Sequence, residues 1–154
     1  MGQSNPDRQL ESVRRLRHRH QLGRLDYLRA LRQLSIGRTQ SELARALGLT
    51  QPSISSALKS AARLADPRPG FSGAGPYEIA QRYAAGELDR ERLLHELSRW
   101  GTHPVGRIGI GRAVDNRTDP EVDLRQAVRD GLLDEDTYQT VLLQRESLSR
   151  ERSL

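Results

Sequence analysis

Hydrogen-bonding side chains follow one another closely in the stretch TQPSISSALK, residues 50 to 59. The amide of Gln51 is able to pair through two hydrogen bonds with the edge of an adenine base. Ser55 and Ser56 can donate to bases or phosphates, whereas Lys59 and the Thr50 hydroxyl suit phosphate oxygens. On the outer side of a helix, these groups would offer the chemistry needed to recognise a polar, anionic duplex.

A short helix and a sharp turn are predicted to hold those residues in place. Thr39 and Glu42 have the T-x-x-E spacing of a capping box, which predicts a helix over residues 40 to 47. Gly48 follows where a helix end needs a residue with positive φ. The apolar residues that we expect to anchor the two helices in a core are Leu43, Ala44, Leu47, Leu49 and Ile54.

A second helix is predicted to begin directly after the turn. Thr50 has the side chain of an N-cap, and Pro52 is tolerated in a first turn because the amides there have no partner within the helix. A helix-turn-helix that reads DNA needs such a steep, rigid junction, so that its second helix can enter the major groove.

The stretch resembles the helix-turn-helix of the Cro- and phage-repressor-like (XRE-type) regulators. The resemblance covers about residues 25 to 63 and is most specific over 40 to 59, where Gln40, Ala44, Gly48, Leu49 and Ile54 fall at the motif's spacing. It implies a prokaryotic regulator of transcription, most simply a repressor, that binds double-stranded DNA as a homodimer. Half-sites would then lie about 34 Å apart. The positions that it places against DNA are Gln40, Thr50, Gln51, Pro52, Ser53, Ser55, Ser56 and Lys59.

Apart from Lys59, this predicted reading face carries no cation, so the first helix is expected to supply much of the affinity for phosphates. We expect that helix to be capped by Asp7 and to break at Gly23, with a second helix from Arg24 to Leu34. The buried stripe of the first helix is predicted to be Leu10, Val13 and Leu16. The arginines available for phosphate contacts are Arg14, Arg15, Arg17 and Arg19, with Arg24 and Arg29 as further candidates; a solvated charged face is the alternative.

The basic character of the chain belongs to its first part. Residues 1 to 66 carry eleven arginines and Lys59 against five acids, a net charge of +7. Residues 67 to 154 carry thirteen arginines against fifteen acids, a net charge of −2. This division is typical of a nucleic-acid-binding module joined to a near-neutral companion.

Helical patterns dominate the sequence, which predicts an all-α fold in three parts. Residues 1–64 form the helix-turn-helix domain, and the Pro-, Gly- and Ser-rich residues 65–76 form a linker. Residues 77–149 form two helical hairpins, because YAAGELDRERL and VRDGLLDEDTY repeat at an offset of 45 residues. Each repeat unit has a glycine (Gly86, Gly131) followed by an N-cap aspartate (Asp89, Asp134), and the residues after 145 are expected to fray.

The two hairpins are predicted to bury an apolar face each and to bind a partner. Ile79, Ala80 and Tyr83 are expected to face the next helix, as are Val122, Leu124 and Ala127 in the second hairpin. The candidates for a self- or partner-binding surface are Leu97, Trp100, Tyr138 and Leu142.

Other kinds of site find little support in the sequence. Cysteine is absent, and the histidines at 18, 20, 95 and 103 lack a metal-binding spacing, so we expect no metal, no cofactor and no enzyme. The glycines of residues 101–119, including GRIGIG, follow no strand and are not expected to hold a phosphate. No apolar run is long enough to span a membrane, which favours a cytoplasmic protein.

Two other functions remain open at this stage. In an antitoxin, the hairpins would clasp a toxin while the basic domain represses the shared operon. In a packaging or architectural protein of a phage or mobile element, many copies would form a ring on DNA. The gene neighbourhood would distinguish the first from a plain regulator, and the mass of the assembly would distinguish the second.

Overall fold

Seven α-helices and no strand make up residues 5–101 and 119–154, the part of the chain that the computed structural model describes. The all-α prediction is therefore confirmed for these residues. None of the described helices is both long and apolar enough to cross a membrane. The chain divides into two units, Met1–Asp66 and Pro67–Leu154. The helices are α1 (Pro6–Leu34), α2 (Gln40–Leu47), α3 (Gln51–Ala61), α4 (Pro76–Ala84), α5 (Arg90–Arg99), α6 (Pro120–Arg129) and α7 (Glu135–Arg152).

Helix α1 is one continuous helix of 29 residues, so the predicted break at Gly23 is wrong. A glycine inside a helix costs only about 1 kcal/mol relative to alanine, and the burial of Leu22 and Leu28 on either side outweighs that cost. The predicted cap is also wrong by two residues. Asn5 caps the helix, because its side-chain oxygen accepts a hydrogen bond of 3.1 Å from the backbone amide of Asp7.

The predicted buried stripe at the start of α1 lies in solvent. Leu10 is 50% exposed, and Val13 and Leu16 are each 60% exposed. Among the described helices, α1 contacts α3 alone. The 11 residues of α3 span about 16 Å, whereas α1 spans about 43 Å. The shorter helix cannot cover the longer one, and the first turns of α1 therefore extend beyond the packed part of their unit.

The first unit has a small core where α3 packs against α1 and α2. Leu31, Leu43, Ala44 and Ile54 are buried there. Leu47 and Leu49 are 47% and 45% exposed, so their prediction as core anchors is wrong. Three helices enclose only one small cluster, and residues beside the turn lie at its edge.

The second unit has one core that both hairpins share. Helix α4 contacts α5 and α6, while α7 contacts α5 and α6, so each hairpin packs against the other. Leu97 and Trp100 are buried, which contradicts their proposed role in a partner-binding surface; Tyr138 packs against the same core. Val122 is 54% exposed, contrary to prediction. The buried core comprises Ile79, Ala80, Leu93, Leu94, Leu97, Trp100, Leu124, Ala127, Leu132, Leu133 and Val141.

The predicted internal repeat is confirmed at the turns of both hairpins. Gly86 and Gly131 adopt positive φ values of 86° and 74°. Asp89 and Asp134 each cap the following helix by accepting a hydrogen bond from an amide three residues ahead, at 2.8 and 2.7 Å. The second of these helices, α7, continues to Arg152, so the predicted fraying after residue 145 is wrong.

Residues 65–76, interpreted above as a linker, have no regular structure before α4, and those from Pro67 onward belong to the second unit. The guanidinium of Arg68 lies 4.2 Å from the centre of the Trp100 ring, and Phe71 meets the same ring edge-on with centroids 4.9 Å apart. The amide and hydroxyl of Ser72 donate to the carboxylate of Glu96 at 2.8 and 2.7 Å. Only 1% of Glu96 is exposed, and Arg92 donates to the same carboxylate at 2.9 Å.

Replacement of this buried carboxylate should destabilise the second unit. For Glu96→Ala we expect the free energy of unfolding to fall by about 2–3 kcal/mol, because the partly buried donors of Ser72 lose a charged acceptor. Urea unfolding followed by the fluorescence of Trp100 measures this change. The control Glu91→Ala alters an exposed glutamate of the same helix and should cost well under about 1 kcal/mol. Equal losses in the two variants would contradict the role of Glu96.

A second carboxylate makes stability depend on pH. Burial raises the pKa of Asp123 above its ordinary value of 3.8, although the backbone amide of Tyr77 donates to it. Stability from this group is therefore fully present below pH 3.8 and is lost as the pH rises through the folded pKa. We expect Asp123→Asn, which keeps the acceptor without the charge, to raise the Tm at pH 7 and to change it little near pH 3. A lower Tm at pH 7 would contradict this assignment.

Candidate nucleic-acid interface

The start of α2 is held by the predicted capping box. The amide of Glu42 donates to the Thr39 hydroxyl at 3.2 Å, and the amide of Thr39 donates to the Glu42 carboxylate at 3.1 Å. Both bonds satisfy amides that have no partner within the helix. The direction in which α2 leaves the preceding loop is thereby defined.

The turn between α2 and α3 depends on a left-handed residue. Gly48 has φ 67° and ψ 31°, as predicted, and the amide of Leu49 donates to the carbonyl of Ala44 at 2.9 Å. A side chain at Gly48 would meet no atom within 4 Å, so the requirement for glycine comes from the backbone conformation and not from space.

Helix α3 begins three residues after Gly48, with Thr50 as its predicted cap. The Thr50 hydroxyl accepts a hydrogen bond from the amide of Ser53 at 3.3 Å and lies 2.9 Å from the Ser53 hydroxyl. Pro52 occupies the first turn of the helix. On the opposite side of α3, Ile54 is completely buried against α1 and α2. The orientation of α3 therefore depends on its cap at one end and on this apolar contact in the middle.

The outer face of α3 is polar and open to solvent. Ser55 is half-buried, and Gln40, at the start of α2, is half-buried too. No other side chain predicted for this face is covered by the protein, and none is packed into the core. The exposed members are Thr50, Gln51, Pro52, Ser53, Ser56 and Lys59.

A hydrogen bond connects the first residues of the two helices. The side-chain nitrogen of Gln51 donates to the side-chain oxygen of Gln40 at 2.6 Å. One N–H and the carbonyl oxygen of the Gln51 amide stay available, and these are the donor and acceptor that an adenine edge requires. The bond thus restricts the rotation of Gln51 without consuming its capacity to read a base.

The four predicted phosphate-binding arginines of α1 are all exposed, but they do not share one face. A helix turns about 100° per residue, which places Arg15 and Arg19 together and Arg14 and Arg17 together on a different side. Arg14 also lies 3.7 Å from the carboxylate of Glu11. At most one of the two pairs can therefore follow a single phosphate strand.

Two other arginines of α1 bind carbonyls at the end of α3 and in the residues that follow it. Arg29 donates to the carbonyl of Ala65 at 3.2 and 3.0 Å, so its candidacy for phosphate contact gives way to a structural role. Arg32 donates to the carbonyls of Ala61 and Leu64 at 2.6 and 2.7 Å and also pairs with Asp66. Sequence reasoning missed both roles, since no local pattern tells which helix end lies beside an arginine.

Two exposed cations next to the motif also went unnoticed. Arg38 directly precedes the capping residue Thr39, and Arg45 lies on α2. Their positions beside and inside the motif could have identified them, since each adds positive charge close in sequence to Gln40.

In the described ranges no group of three or more histidine, cysteine, aspartate or glutamate side chains could hold a metal. The glycine-rich stretch with GRIGIG and His103 lies outside the described residues except at its ends.

The turn allows a direct test of how α3 is presented. Gly48→Ala should lower the free energy of unfolding by about 1–2 kcal/mol, because an L side chain resists the left-handed conformation. Gly37→Ala is the matched control, since Gly37 has open space around it and no positive φ, and we expect a change within about 0.5 kcal/mol. Thermal unfolding measures the stability of both variants. Equal stabilities of Gly48→Ala and Gly37→Ala would refute the role of the turn.

Comparisons with protein families, with curated proteins and with solved structures found no match to this chain. The resemblance to Cro- and phage-repressor-like regulators therefore stays a prediction from the residues of the motif. The capping box, the left-handed glycine and the second cap occur within the twelve residues from Thr39 to Thr50.

Proposed function

We propose that the chain binds double-stranded DNA in a sequence-specific manner, with α3 inserted in the major groove, and that it regulates transcription, most simply as a repressor. The observation that carries this proposal is the exposed polar face of α3. Ile54 anchors the other side of the helix in the core, and the Gln40–Gln51 hydrogen bond holds the first side chain of the exposed face in place. A solvated helix pair would have no need for a glutamine held in place at the first position of its second helix. A cytoplasmic location follows from this function in a prokaryote.

Base recognition in this proposal rests on Gln51. Its remaining N–H would donate to N7 of adenine while its oxygen accepts from the N6 amino group. Because Gln40 already holds the amide, little conformational entropy is lost when the base is bound. Ser55 and Ser56, one and two positions beyond the buried Ile54, would complete the reading surface with hydroxyls.

Contacts to the phosphates would supply most of the affinity. Lys59 lies at the far end of α3, and the Thr50 hydroxyl lies at its start. Arg38 and Arg45 add cations near α2, and one arginine pair of α1 extends the contact. The net charge of +7 on residues 1 to 66 favours this partner, since phosphate binding releases counterions from DNA.

A single reading helix contacts few base pairs, so the proposal includes a homodimer on a pseudo-palindrome with half-sites about 34 Å apart. The antitoxin alternative needed a toxin-binding surface on the hairpins. Leu97 and Trp100, two of the candidates for a partner-binding surface there, are buried in the core of the second unit.

Base reading can be separated from general DNA affinity by one substitution. We expect Gln51→Ala to reduce the preference for the cognate site over random duplex by about 1–3 kcal/mol, because one bidentate contact is lost. The cognate site would first be selected from a randomised duplex library, and binding would be measured by fluorescence anisotropy at fixed salt.

The control for this experiment is Gln33→Ala, which removes an exposed glutamine of α1 that lies outside α2 and α3. It should leave the preference unchanged. An equal loss of affinity for cognate and random DNA in Gln51→Ala would show that Gln51 reads no base. A failure of the library to yield any preferred sequence would overturn sequence-specific binding altogether.

A further inference from the structure

Helix α1 carries an exposed stripe that neither the core of its unit nor the proposed DNA contacts explain. Its members recur at alternating spacings of four and three residues from Gln9 to Leu34, a length of about 38 Å. Every one of them is exposed. We call this stripe the α1 seam; it consists of Gln9, Val13, Leu16, His20, Gly23, Tyr27, Ala30 and Leu34.

The α1 seam is distinct from the face that packs inside the unit. Leu22 and Leu28 are buried, and each lies about a third of a turn around the helix from the middle of the seam. Five of the eight seam residues are apolar, including Val13, Leu16 and Leu34. Burial of large apolar side chains away from water is favourable in free energy, so an exposed stripe of this length is typical of a surface that another molecule covers.

The spacing of the seam residues indicates which kind of secondary structure packs against them. Alternation of three and four residues averages 3.5, the repeat with which one helix follows another in a coiled coil. The seam runs through more than three such repeats. Its partner is therefore a helix of similar length, and α1 of a second copy is such a helix.

Steric fit selects the antiparallel arrangement of two copies. Gly23 has nothing within 4 Å of the position where a Cβ would stand, which leaves a hole in the seam beside His20. In an antiparallel pair centred between these two residues, His20 of each copy fills the hole at Gly23 of the other. A parallel pair would instead set Gly23 against Gly23 and leave the hole empty.

Side chains farther from the centre fit the same register. Leu16 of one copy meets Tyr27 of the other, and Val13 meets Ala30. On one flank, Arg19 comes beside Asp26 of the other copy, whereas a parallel pair would bring it beside Arg24. The repulsion between Arg17 and Arg24 on the other flank makes us expect a dimer of modest affinity.

We propose that the α1 seam is the homodimer surface of this protein, with the α1 helices of two copies packed antiparallel. Dimer formation belongs to the proposed function, but this surface is inferred from α1 alone and does not require that α3 reads DNA. The seam explains why α1 extends so far beyond the helix it packs on.

Sedimentation equilibrium of the full chain without DNA tests the surface. With rising concentration the mass should approach twice the 17.4 kDa of one chain. Leu16→Glu should raise the dissociation constant about tenfold or more, because each interface would bury a charge. Leu143→Glu makes the same change at an exposed leucine of α7 and should leave dissociation within about twofold. Tyr27→Glu is a second seam variant, and circular dichroism checks that each variant is folded.

The outcomes decide between the possible occupants of the seam. A wild type that stays monomeric at high micromolar concentration would overturn the homodimer. Equal effects of Leu16→Glu and Leu143→Glu, with dimers intact, would move the interface away from α1. A ring of many copies would likewise overturn the two-helix arrangement.

Cross-linking tests the orientation, since the chain has no cysteine of its own. A mixture of tagged Val13→Cys and untagged Ala30→Cys chains should form a mixed disulfide on mild oxidation. Val13→Cys alone should form none, because the two copies of position 13 would be about 25 Å apart. A disulfide between two Val13→Cys chains would refute the antiparallel register.

DNA binding by the same variants keeps the two proposals separate. If Leu16→Glu abolishes the dimer while a single half-site duplex is still bound with sequence preference, both proposals stand. Loss of all sequence preference in a wild type that still dimerises would overturn DNA reading and leave the seam intact.

Discussion

The ends of the helices are the constraint on which this structure depends. With 35% apolar residues the chain builds only small cores, and most of its helices have 8 to 11 residues. In helices this short, a large share of the backbone groups have no partner within the helix, so their stability depends on what satisfies those groups. Side-chain caps begin six of the seven described helices: Asn5, Thr39, Thr50, Asp89, Asp119 and Asp134. Only α4 lacks a cap of its own, and Asp123 of α6 accepts from the amide of Tyr77 in its first turn.

Arginines satisfy the opposite ends of two helices across tertiary contacts. Arg32 of α1 donates to the carbonyl of Ala61, the last residue of α3, and to that of Leu64 just beyond it. Arg145 of α7 donates to the carbonyls of Leu97 and Trp100 at 3.2 and 2.9 Å. A guanidinium suits this role because it presents several donors and also favours the negative end of the helix dipole. Some arginines of the chain therefore stabilise contacts within one unit or the other, and only the remainder is available to an anionic partner.

Capped helix ends also define the candidate interface. Two threonine caps and one left-handed glycine orient α3 without covering it, so its polar side remains open while Ile54 anchors the other side. The Gln40–Gln51 bond then joins the starts of α2 and α3. A small core also leaves α1 longer than the helix it packs on, so the first part of the α1 seam lies beyond that contact. The proposed reading surface and the proposed dimer surface thus both follow from the small size of this core.

The sequence by itself determined the features that arise within a few residues. The capping box at Thr39, the left-handed turn at Gly48, the cap at Thr50 and the repeated hairpin turns followed from local hydrogen bonding and backbone conformation. Only the tertiary structure decided whether Gly23 breaks α1, because its small cost competes with packing farther along the helix. It also decided that Leu47 is exposed and that Glu96 is buried. Burial and the partners of long side chains depend on which helices meet, and that information is absent from any short stretch of the chain.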